Sequence, residues 1–189
     1  MALRMLRQYL LVVQELSQTK GSSPEDEKCR KNASILKAYV FRHELWKVLL
    51  SGFHMFGWHK HSVEFLDELI LTTHLVCSML EEYAKGKVLH VRSQRGGKEE
   101  ERVFAERQFN FVAELSCLVD YEVVMAYIWA CEHTERAEIV ECTAAFFKRM
   151  VFQFKQPWVF YTVEVLLKLE KALSKNSNTL LPSGMHNLL

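Results

Sequence analysis

Two stretches of this chain are apolar on every side of a helix: LILTTHLVC at 69–77 and VVMAYIWA at 123–130. A helix that is greasy all round cannot lie at an edge, because it needs neighbours on each face. Two such helices within 189 residues imply layered helical packing, as in an α-solenoid or an irregular bundle. Seven glycines and three prolines are too few to turn the chain of a β-sandwich or barrel. With 49% hydrophobic and 25% charged residues, the composition is that of one globular domain able to bury a substantial core.

Helical spacing continues outside these stretches. A first helix is expected over 2–17, with Leu6, Leu10 and Val13 in one apolar row and Met5, Tyr9, Val12 and Leu16 in the next. The second start is the best signalled: Ser23 as N-cap, Pro24 at the first helical position, then Glu25, Asp26 and Glu27 against the positive helix end. That helix is expected to run to Phe56 with a bend at 41–43. Ser62 caps a third over 63–83, and further helices are expected at 104–117, 118–131, 135–154 and 157–173. In the last of these, Glu164 and Lys168 form a favourable pair four apart. The expected fold is therefore all-α with about seven helices: a first group over 1–85, a basic linker over 86–98, a second group of the same domain over 99–175, and a frayed tail over 176–189.

The charge and cysteine content exclude several classes. A formal net charge of +1 provides no global field for nucleic acid, so any such role rests on local patches. The clearest patch is Lys85, Lys87, Arg92, Arg95 and Lys98, with no acidic residue among them, which suits phosphate contact by counterion release. A second excess of base lies at Lys148, Arg149, Lys155, Lys168, Lys171 and Lys175. The five cysteines are an odd number without a CxxC pair, which favours a reducing compartment over a disulfide framework. No run approaches the roughly 18 apolar residues of a membrane span, and Arg4, Arg7 and Glu15 break up the N-terminal apolar run as an amphipathic helix does.

No nucleophile elbow, phosphate loop, dinucleotide fingerprint, zinc-protease or kinase signature is present, so a non-enzymatic role without cofactor or small-molecule substrate is expected. His74 and Cys77 lie mid-way along the most apolar helix, where a thiol is a packing group rather than a nucleophile. The alternative chemistry is a metal site drawn from His54, His59, His61 and Cys77, although zinc needs three or four such groups to converge. Aromatic residues crowd the C-terminal half. Most of them are expected to pack the core, and those around QFKQPWVFY to face outward as a docking surface anchored by Phe154, Trp158 and Tyr161.

Several pieces together resemble the Timeless family: FLDELILTTHLVCSMLEEY, with its T-T-H-L-x-x-x-M-L-E pattern, preceded by ILKAYVFRHELWKVLLSGF and by MALRMLRQYLLVVQELSQ with SPEDEKCRKNASILK. After the linker, ERQFNFVAELSCLVDYEVVMAYIWACEHT and CTAAFFKRMVFQFKQPWVFYTVEVLLKLEKAL are similar to the family's next helices, with Glu106, Phe109, Asn110 and Phe111 in the E-x-x-F-N-F entry. The resemblance spans nearly the whole chain. It implies the second half of the conserved N-terminal domain, an armadillo-like stack. It also implies a nuclear replication fork protection protein that binds a Tipin-like partner, associates with the replicative MCM helicase and duplex DNA, and supports checkpoint signalling in the DNA damage response. The chain departs from the family in a shorter linker and in starting midway through that domain, which is expected to bare one side of the first helix and promote self-association.

Overall fold

The computed structural model describes residues 1–21, 23–86, 90–94, 104–108 and 110–176. The expectation for the tail over 176–189 lies almost wholly outside these residues. The fold is all-α. Helices α1 (Ala2–Gln18), α2 (Pro24–Arg42), α3 (Leu45–Met55) and α4 (Val63–Gly86) precede a two-stranded antiparallel ribbon, β1 (His90–Gln94) and β2 (Phe104–Gln108). Helices α5 (Phe111–Leu115), α6 (Tyr121–His133), α7 (Ala137–Lys148) and α8 (Val163–Asn176) follow.

Local chemistry sets several of the boundaries. At the start of α2, Ser23 Oγ accepts the Asp26 N–H at 3.1 Å and Asp26 Oδ2 accepts the Ser23 N–H at 3.3 Å, a reciprocal cap that holds the Asp26 carboxyl below its ordinary range. Ser62 Oγ accepts the Phe65 N–H at 3.3 Å and starts α4. Asp120 caps α6 by accepting the Glu122 N–H at 2.8 Å.

The long helix expected over 24–56 is two helices. Glu44 adopts a left-handed backbone with φ 53° between them. Packing requires this break. Buried Ala33, Lys37 and Phe41 form the inward row of α2, and Trp46, Leu49 and Phe53 that of α3. On one continuous helix at roughly 100° per residue the two rows would lie about 150° apart, close to half a turn. Gly52 then lets α3 approach α4 closely, since a Cβ there would meet Leu69 Cδ1 at 3.1 Å.

The helix expected over 104–117 is also corrected. Residues 104–108 are extended and pair with 90–94, which places a strand inside the expected 86–98 linker; His90 lies opposite Gln108 and Arg92 opposite Glu106. The helix that follows starts only where Asn110 Oδ1 accepts the Ala113 N–H at 3.1 Å, and it is five residues long.

The two helices expected to be surrounded are surrounded. Helix α4 packs against α1, α3, α5, α6 and α7, and α6 against α3, α4, α7 and α8. Their shared core holds a ring stack, Phe53 on Tyr127 at 5.5 Å and Tyr127 on Phe146 at 4.4 Å between centroids. Polar ties fix the outer elements to α4. Arg7 of α1 clamps Glu68 with two bonds of 2.8 and 3.2 Å, and Arg149 reaches Ser78 at 3.0 Å and Glu81 at 3.5 Å.

Candidate docking surface

Beyond α7 the chain leaves regular helical geometry twice, and these two departures decide which aromatic rings face outward. Arg149–Gln153 forms a π-helical turn, closed by the Phe154 N–H bonding the Arg149 carbonyl at 2.9 Å. It delivers Phe154 into the core, where its ring meets Phe111 at 6.1 Å and only 4% of the residue stays exposed. Phe154 is therefore a packing residue, and its expected role as a docking anchor is corrected. Lys155 then takes a left-handed φ of 54°, and the chain turns into a 3-10 segment at Pro157–Tyr161.

With three residues per turn, side chains three apart on a 3-10 segment share a side. Val159 points inward, while Trp158 and Tyr161 stand 54% and 74% exposed. Helix α8 continues the theme. Val165 and Ala172 are buried, whereas Val163, Leu166 and Leu167 lie on the solvent side at helical spacing. Phe152 is exposed as well. On α8 this run of large apolar side chains extends from Val163 to Leu167, and exposed Glu170, four residues after Leu166, ends it. It is the kind of surface on which an amphipathic helix buries its apolar stripe.

Several charged groups of α8 are engaged within the fold. Glu164 accepts the Tyr121 hydroxyl at 2.7 Å and pairs with Lys168 at 3.2 Å, so its carboxyl titrates below the ordinary range. Lys171 pairs with Glu132 at 3.6 Å, and Lys175 donates to the Glu132 carbonyl. With Arg149 tied to α4, much of the C-terminal basic excess is engaged within the fold. Of the linker bases, Lys87, Arg95 and Lys98 lie outside the described residues; Lys85 falls near the end of α4 and Arg92 within β1.

The alternative metal set of His54, His59, His61 and Cys77 does not assemble. Among the described residues, the group of ligand types that converges is His54 with Asp120 and Glu122, with the candidate atoms within 4.8 Å of one another. His59, His61 and Cys77 are not part of it. His61 Nδ1 instead accepts the Gly57 N–H at 3.1 Å, its ring stacked on Phe65, and Cys77 is buried in α4. Asp120 Oδ1, the atom nearest His54 at 3.6 Å, is already occupied as the α6 cap. Burial pushes the thiols of Cys77 and Cys131 up to about 11 and that of Cys142 to about 12, so none is a thiolate near neutral pH. Burial likewise pushes His74 toward its neutral form.

The outward apolar row of α8 was not singled out from the sequence, where the Glu164–Lys168 pair was the feature read on that helix. Its continuation through Trp158 and Tyr161 rests on the 3-10 segment, for which Pro157 was the only sequence signal. A scan against protein-family models gives no match for this chain, and a search of curated proteins gives none.

Proposed function

We propose that this chain is a non-catalytic scaffold segment of a Timeless-type replication fork protection protein, in which a helix of a Tipin-like partner docks across Trp158, Tyr161, Val163, Leu166 and Leu167. The observation that carries the docking reading is the outward apolar row on the last two elements of a helical fold. The family assignment is supported by the ordered sequence pieces described above. In this reading the helices form part of an armadillo-like stack. The larger protein acts in the nucleus beside the MCM helicase, where it steadies the fork and supports checkpoint signalling. Lys85, Lys87, Arg92, Arg95 and Lys98 add duplex contacts through phosphates, which position without reading sequence.

Exposed aromatic anchors dominate such interfaces. Replacing Trp158 and Tyr161 together by Ala should weaken co-purification with the Tipin-like partner by about tenfold or more, with far-UV circular dichroism unchanged. Undiminished binding by a folded double variant would remove this surface from the proposal. For the electrostatic part, neutralising the five linker bases should flatten the salt dependence of duplex binding by about 0.9 log units per lost contact. An unchanged slope would discard the phosphate role.

A further inference from the structure

Helix α1 carries two apolar rows, and the fold uses one. Leu3, Leu6, Leu10 and Val13 face the core, the last two fully buried. The adjacent row, Met5, Tyr9, Val12 and Leu16, is exposed along its whole length. Its spacing of four, three and four residues is a heptad seam with Ala2, Tyr9 and Leu16 at a positions and Met5 and Val12 at d positions. A seam two residues wide per heptad is the narrow stripe that suits one further helix rather than a broad core.

We infer that this seam pairs with the α1 of a second copy of the chain, antiparallel about a two-fold axis. In that register every layer closes on itself: Met5 meets Leu16 of the other copy and Tyr9 meets Val12, each twice by symmetry, over about 17 Å of helix. The charges choose the direction. On the solvent flank of the seam Gln8 and Glu15 take the g positions, with Arg4 one turn before Gln8 at c, and all three are exposed. Antiparallel pairing brings Arg4 toward Glu15 of the other copy, with Gln8 beside it. Parallel pairing would instead set this polar flank beside Leu6 and Val13 of the other copy, a flank the core already occupies. The remaining flank of α1 is not free to compete, because Leu6 and Val13 are turned into the core and Arg7 is held by Glu68.

Sedimentation equilibrium of the full chain tests this. The apparent mass should climb from monomer toward dimer as concentration rises through the micromolar range. Val12→Asp should weaken dimerisation by at least about tenfold with helicity unchanged, since it puts two carboxylates into the central layers. Arg4→Glu alone and Glu15→Arg alone should each weaken it by about threefold, and the two together should restore it. The Trp158→Ala, Tyr161→Ala variant should dimerise as the parent does, which separates this contact from the partner surface. A monomer at every concentration, a dimer indifferent to Val12→Asp, or a double charge swap that fails to restore pairing would each overturn the inference.

Discussion

Helices α4 and α8 open alike, with Val63-Glu64-Phe65-Leu66 in one and Val163-Glu164-Val165-Leu166 in the other, and the fold treats them oppositely. Leu66 is fully buried, while Leu166 is 42% exposed. At the next position the inversion is sharper: Asp67, a carboxylate, is inside, and Leu167 is outside. Both helices start with a glutamate held below its ordinary range, by the Ser62 hydroxyl in α4 and by the Tyr121 hydroxyl in α8. The local instruction to form a helix is therefore the same. What differs is how many neighbours reach each helix, which these opening residues do not specify and the all-round apolar stretch at 69–77 of α4 does.

The largest test of this contrast is one substitution made twice. Leu66→Ala should cost about 3 kcal/mol in denaturant unfolding, because it opens a cavity among packed helices. Leu166→Ala should stay within about 0.5 kcal/mol. Equal costs would break the comparison. Next in size is the cap of an outer helix. Ser23→Ala should cost about 1 kcal/mol through the loss of the reciprocal Ser23–Asp26 bonds, a local effect that needs no deep burial.

A smaller effect, of opposite sign, concerns Asp67. Burial raises its carboxyl above the ordinary range, and the Thr134 hydroxyl, donating to Oδ2 at 3.1 Å, and the nearby Arg136 only partly offset this. A carboxyl raised in the folded state lends stability that is intact below its unfolded value of about 3.9 and is lost as pH rises through the folded value. Asp67→Asn should therefore raise the melting temperature at pH 7, with the gain vanishing as pH falls below about 4. A gain that persists at pH 3 would assign the effect to packing instead. Smallest of all, Leu167→Glu should leave stability within about 0.5 kcal/mol while removing apolar contact from the proposed docking row.

Much of the fold was readable where a short-range interaction decides the matter. Ser23, Pro24 and Ser62 mark helix starts because a side-chain oxygen or a fixed φ acts within three residues. The all-round apolar stretches marked α4 and α6 as central because nothing else can cover them. The bend expected at 41–43 lies beside the actual break, but a full stop at Glu44 was not readable, since it is neither glycine nor proline and its left-handed backbone is imposed by the mismatch between two buried rows. Asn110 carried a cap signal, but the pairing that keeps 104–108 extended involves residues 90–94, beyond the reach of a local pattern. The same distinction separates Phe154 from Trp158. Nothing in QFKQPWVFY announces a π-helical turn, so Phe154 looked as free as its neighbours. In α1 both apolar rows were visible, yet only the packed structure shows which of them α4 takes.

That last choice sets a timetable for the growing chain. Sixty-one residues separate Arg7 from its partner Glu68. At about 5–20 residues per second, translation leaves α1 waiting roughly 3–12 s for α4 to emerge. Over that interval the stripe that α4 will cover lacks its main partner, so α1 is a stretch of the nascent chain that needs chaperone cover until Glu68 has emerged.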